Sequence, residues 1–313
     1  MMPSRFLVLM FVAALTASLD TSAHGQGSSG PYLGLDPPGR SAEAFAPWLL
    51  GSDMWPGCSG FLRDGTVFVF SAMKEGSDWR FKPTFVTELK DGNWTEPEVA
   101  PWSDHLPYNF TVGPAGQTVY FTSLKSPDKT SSMLLEQANV WAVTLLDSGW
   151  TEPVMLGASL NSDAYYENYP SVSSNGSVYF MSRRPDSVGK TDIYRSENLD
   201  GKYGKAESLG EPVNSPEADQ DPFIAADESY LIVCLTGRQD SHGGYDLYAS
   251  FKSTDGSWSE PKNLGAEVNS EGAEFRPYVT PDGKHLFFTS YGRDEDEKGG
   301  IYWVSAEVIE DLR

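Results

Sequence analysis

The chain has 313 residues but only two cysteines and four histidines. The histidines are scattered as His24, His105, His242 and His285, too far apart in the repeats described below to build a multi-histidine transition-metal site. Cys58 and Cys234 fall in different, non-adjacent repeats, which argues against a disulfide. Cys234 lies in the apolar run 230–235, where a free thiol acts as a small core hydrophobe. Positive charge is also scarce: 23 Lys and Arg stand against 44 Asp and Glu, a formal net charge of −21. Such a surface repels phosphate backbones and anionic lipid headgroups, so nucleic acid and membrane-surface partners are disfavoured. A Gly-x-Ser-x-Gly nucleophile elbow, a helical zinc motif and a phosphate loop are all missing. No cofactor is called for, and a cation in a central channel is the one case left open.

Long apolar runs are missing except at the start. Arg5 precedes an apolar stretch from Phe6 to Ala17, and small residues follow up to Ala23. This is the layout of a secretory signal peptide, too short for a membrane span of roughly 20 residues. The expectation is a signal peptide over 1–23, a flexible lead-in over 24–31 and one domain over 32–313. The mature protein is then periplasmic or secreted, a monomer, with no membrane insertion. Asn93, Asn109 and Asn175 each head an Asn-x-Ser/Thr acceptor pattern, relevant only in a eukaryotic source.

What the chain does have is an internal repeat. A tight turn followed by an apolar strand recurs five times, at 64–71, 115–123, 175–182, 228–235 and 282–290. Asp-Gly and Asn-Gly supply the positive φ angles of a hairpin; the fourth copy, with Glu228-Ser229, is expected to use a different turn. A short strand opened by proline precedes each turn, as at Pro170, Pro222 and Pro277, and a third strand with a buried aromatic follows, as at Trp141, Tyr194, Tyr248 and Tyr302. A fourth strand is read as beginning at Trp94, Trp150, Tyr203 and Trp258. Four strands in about fifty residues make one blade of an all-β propeller. Five blades are expected, with six as the alternative. The last copy has only three strands, and the orphan segment 43–50 is expected to complete it, removing two exposed sheet edges.

The runs Pro170-Ser-Val-Ser-Ser-Asn-Gly-Ser-Val-Tyr-Phe-Met-Ser-Arg183, Gly243-Gly-Tyr-Asp-Leu-Tyr248 and Gly256-Ser-Trp-Ser-Glu-Pro-Lys-Asn-Leu-Gly265 resemble the WD-like β-propeller repeat of TolB-type bacterial periplasmic proteins. The resemblance covers most of 52–313 and is strongest over 169–302. It implies the fold and leaves the function open. That family is described as six-bladed, whereas five hairpins are counted here.

In a propeller, the connection between blades arrives at the mouth of the central channel. Each arrival carries an acid three positions before proline: Asp53, Asp104, Glu167, Asp219 and Glu274. Clustered carboxylates can hold a hard cation or divide acid and base roles. Basic residues close the neighbouring loops at Lys125, Arg183, Arg238 and Arg293, so the same acids can instead lock adjacent blades through charge-assisted hydrogen bonds. Asp192 and Asp246 are further candidates for such a lock. The positions directly before the prolines differ in every blade: Trp55, Leu106, Tyr169, Asp221 and Arg276. With His105, Tyr165 and Tyr166 they give the mouth an aromatic and charged mixture suited to a sugar or a peptide end, or alternatively fill a narrow centre. The leading expectation is therefore a non-enzymatic exported module holding a protein or glycan partner on its top face. The alternative is a glycan-cleaving enzyme using channel-mouth carboxylates, which requires a solvent-open carboxylate pair about 5 to 9.5 Å apart.

Overall fold

The computed structural model describes residues 29–313 apart from 79–81, 126–136, 163 and 294–297. The expected signal peptide and most of the lead-in lie outside the described residues.

Five antiparallel sheets, each built on four strands, stand around one axis as a five-bladed propeller. The innermost strands are Met54–Leu62, Pro107–Val112, Asn168–Val172, Gln220–Ile224 and Ala273–Val279. Their residues are almost all buried because every inner strand faces a neighbouring blade on both sides. Each interface carries a hydrogen bond beside the axis. Phe110 N donates to Cys58 Sγ (3.3 Å), Thr111 Oγ1 to Pro170 O (2.5 Å), Ile224 N to Ser171 Oγ (2.9 Å), Arg276 N to Asp221 Oδ2 (3.2 Å) and Thr289 Oγ1 to Gly57 O (2.6 Å). These bonds join the blades in ring order.

The ring closes through the N-terminal segment: Glu43 and Ala44 pair with Trp303 and Tyr302 of the last blade. The pairing is shorter than the expected 43–50, because Ala46 takes φ 44° and Pro47 opens a 3-10 turn over Pro47–Leu49. Phe45 secures it, its ring lying 5.0–5.7 Å from Phe61, Phe287 and Trp303.

The outer edge of the blades departs from the sequence reading. Trp94, Trp150 and Tyr203 belong to short hairpins that prolong the third strand, and Trp258 makes a single bridge to Lys252. The outermost strands come later, at Glu98–Val99, Val154–Met155, Glu207–Ser208 and Lys262–Asn263. Pro97, Pro153 and Pro261 lack an N–H, so pairing breaks there and resumes one step beyond.

The fourth hairpin also differs from expectation. Glu228 takes φ 60° and donates its N–H to Ala225 O, just as Gly176 donates to Ser173 O and Gly283 to Thr280 O. The turn is the same, with glutamate in the glycine position. Cys58 and Cys234 are buried, free thiols. Asn109 is buried and donates to Asn168 Oδ1 (3.1 Å), so it offers no glycosylation site.

Candidate functional site

The mouth of the channel is shaped by one backbone device repeated around the axis. Each innermost strand has an irregularity of register near its start. Leu106, Tyr169, Asp221 and Arg276, the residues directly before the prolines, have φ between 47° and 57°. Non-glycine residues in this region are strained by about 1 kcal/mol or more, and here the β-bulge re-aims the side chain. Trp55, the fifth equivalent, stays out of the left-handed region.

The five acids divide into two groups. Glu167, Asp219 and Glu274 are fully buried and each accepts a backbone N–H from the turn just before it: Ser162 N (3.0 Å), Ser215 N (2.7 Å) and Ser270 N (3.2 Å). Glu167 also accepts from Arg184 Nη2 at 2.5 Å, and Glu274 from Ser290 Oγ (2.7 Å) with Arg293 Nη2 at 3.5 Å. The partner is Arg184, where the sequence had suggested Arg183; the charge of Arg183 instead acts on the Tyr166 hydroxyl, against the rise that burial imposes. Burial pushes the Asp219 carboxyl up to about 7, against the hydrogen bonds from Ser215. Asp53 and Asp104 are partly exposed and pair with lysines, Lys74 at 3.3 Å and Lys125 at 3.1 Å. His105 Nδ1, 3.0 Å from Asp104 Oδ1, and Lys125 hold that carboxyl well below the usual range. His105 itself is buried, its ring packed on Trp141 at 5.5 Å.

Asp192 and Asp246 act inside their own blades. Asp192 accepts from Val188 N and Gly189 N, and Asp246 from His242 N, Gly243 N and Asn263 Nδ2. A matching set escaped the sequence reading: Asn161, Asn214 and Asn269 each bridge both backbone groups of a third-strand residue, namely Val140, Ile193 and Leu247. The recurring Asn-Ser pair, its serine four or five residues before the acid, was the available signal.

What the fold does bring together at the mouth is Asp221 and Arg276 with several groups the sequence did not single out. Arg276 Nη1 donates to Tyr291 OH (2.8 Å), which donates to Pro56 O (2.7 Å). Burial raises the Asp221 carboxyl and the nearby Arg276 charge opposes that rise. Lys82 Nζ sits 4.5 Å over the ring of Tyr108, and burial, aided by the Arg276 charge, pulls its ammonium down to about 8. Burial likewise pushes Tyr166 up to about 12 and the Cys58 thiol upward. A run of half-buried rings flanks these groups: Trp55 to Tyr291 at 5.9 Å, Tyr291 to Phe275 at 6.0 Å and Phe275 to Tyr245 at 5.0 Å. Tyr169 is buried beneath, its N–H donated to Thr122 Oγ1 and Asn168 Oδ1. Among the described residues no group of three or more His, Cys, Asp or Glu is placed to hold a metal ion, and no helix is long and apolar enough to cross a membrane.

No family model matches the chain, and no curated protein matches it. Solved structures do. Native Bacillus subtilis arabinanase Arb43A superposes with a TM-score of 0.51 at 14% identity, over 80% of this chain and 94% of that one. TolB from Acinetobacter baumannii gives 0.48 at 12% identity, over 82% of this chain, which spans 59% of TolB's length. An exo-1,5-alpha-L-arabinanase from a bovine ruminal metagenomic library gives 0.49 at 11% identity, over 80% and 92%. The fold they share is the β-propeller. At such identities the likeness concerns fold alone, and the TolB-type resemblance of the repeats stands as a resemblance.

Proposed function

We propose that the chain is an exported, non-enzymatic binding module that holds its partner at the top mouth of the channel. The observation that carries this reading is the engagement of the five arrival acids. Glu167 and Glu274 are bonded to arginines and serines, Asp219 to Ser215, and Asp53 and Asp104 to lysines. Glycoside hydrolysis needs two carboxyl groups free to act on one bond, and Asp221, the acid at the centre, is buried and accepts the backbone N–H of Arg276. The half-buried rings of Trp55, Tyr291, Phe275 and Tyr245 instead suit the face of a sugar ring, which favours a glycan over a protein partner.

The test is a glycan array probed with the mature chain and with Trp55→Ala, alongside a search for released reducing ends on every glycan retained. Retention that weakens in Trp55→Ala, without product, is the expected result. Steady product release abolished by Asp221→Asn would replace the binding module with an enzyme.

A further inference from the structure

A chain with a formal net charge of −21 has few cations to spend, yet Lys82, Arg183 and Arg276 all lie at the channel mouth. None of the ion pairs among the described residues includes any of the three. Elsewhere the cations are matched: Arg184, Arg293, Lys125 and Lys252 each face a carboxylate within 4.0 Å. The mouth is therefore a positive spot on a negative surface, and the surrounding groups keep it so. Asp221 and the Cys58 thiol act on both Lys82 and Arg276, and the N–H of Arg276 occupies one of the Asp221 oxygens. Arg276 Nε is buried with no hydrogen-bond partner among the described residues.

The shape of the spot narrows the acceptor. Arg276 and Tyr291 share a hydrogen bond, and Trp55 leans on Tyr291, so the cation and one end of the half-buried aromatic run lie side by side. A ligand that uses both has an anionic group on a ring-shaped body.

Resting on the binding-module reading above, we propose that the mouth is an acidic-sugar site, in which Arg276 and Lys82 take the carboxylate of a uronate residue and Trp55 and Tyr291 take the face of its ring. The negative surface around it then works as a selectivity device. It repels polyanions at long range, so a short acidic glycan or a glycan end is favoured over a densely charged polymer.

Calorimetric titration of the mature chain with trigalacturonate, with neutral galactotriose and with inorganic phosphate tests this. Trigalacturonate is expected to bind at least roughly tenfold tighter than galactotriose, the range of one charge-assisted contact. Its affinity should fall as salt screens the pair. Arg276→Gln and Lys82→Gln should each remove that preference, with thermal melts to verify folding. Lys82→Gln lies on a loop and keeps the test alive if Arg276→Gln fails to fold. Equal binding of the two trimers, or a preference untouched in both variants, overturns the carboxylate assignment and leaves the binding module standing. Phosphate binding as tightly as trigalacturonate overturns the sugar. No binding by any of the three overturns the inference, while the array with Trp55→Ala judges the module separately.

Discussion

The carboxylate of Glu228 lies 2.7 Å from the ammonium of Lys252. Glu228 occupies the hairpin position that is glycine in the other copies, at φ 60°, where an L side chain costs about 1–2 kcal/mol. The surroundings offset that cost. Ser173 Oγ, Asn175 Nδ2 and Arg195 Nη2, all from the neighbouring blade, donate to the same carboxylate at 3.0, 3.1 and 3.4 Å. A residue that looks like a defect in the repeat is a clamp between the third and fourth blades.

Burial alone would raise the Glu228 carboxyl, but the hydrogen bonds from Lys252 and Asn175 and the Arg195 charge outweigh it and hold it at about 2. The folded value lies below the ordinary 4.5, so the stabilisation is present above that value and is lost as pH falls toward 2. Glu228→Gln should cost about 1–3 kcal/mol at neutral pH. Chemical denaturation of the two proteins across the acid range should show the gap closing as pH falls.

Asp219 should behave in the opposite sense. Its folded value of about 7 lies above the ordinary 3.8, so between these limits the folded chain binds more proton than the unfolded one. Stability therefore falls as pH rises through that window. Asp219→Asn keeps an acceptor for Ser215 N and should flatten that slope. Melting temperatures of both proteins from pH 4 to pH 8 test it, and parallel curves would remove the argument.

The arrival acids should separate by burial. Glu167→Ala and Glu274→Ala leave Arg184 or Arg293, with a serine N–H, short of an acceptor, a loss of about 3 kcal/mol. Asp53→Ala and Asp104→Ala break exposed pairs and should change stability by about 1 kcal/mol or less. Denaturant midpoints of the four variants decide between this pattern and a uniform ring; equal effects would favour the ring.

Ring closure makes the N-terminal segment indispensable. Phe45→Ala should cost about 3–5 kcal/mol, since it opens a cavity among Phe61, Phe287 and Trp303. Deleting residues 32–51 should leave the outer edge of the third strand of the last blade unpaired and lower solubility. A truncated chain melting at the wild-type temperature would refute the role given to that strand.

Much of the fold was legible because it is periodic. Asp-Gly and Asn-Gly turns force a local backbone geometry, and the proline that follows each arrival acid marks an inner strand, although only Pro107 opens one; the other four strands begin two to four residues earlier, at Met54, Asn168, Gln220 and Ala273. The outer strands were misplaced because Trp94 and Trp150 look like strand starts, while the break at Pro97 and Pro153 depends on where the third strand has N–H groups left to pair. The acids were found by spacing, but spacing could not rank them. Glu167 and Asp104 occupy the same position in the repeat, yet only the first is sealed beneath its turn.

Sequence alone determined the propeller class, four of the five hairpin turns and the segment that closes the ring, because these follow from short-range turn chemistry and from counting strands, while five blades against six was left to the structure. Tertiary structure alone decided which groups meet at the channel. Lys82, Tyr108, Asp221, Arg276 and Tyr291 come from four different blades, separated by up to some two hundred residues of chain. The position before the proline marked Asp221 and Arg276 for the mouth, but nothing in the local sequence of Lys82, Tyr108 or Tyr291 places them beside that pair. Their proximity is a consequence of closing a twisted ring of sheets around one axis, which places the first turn of every inner strand at the same point in space.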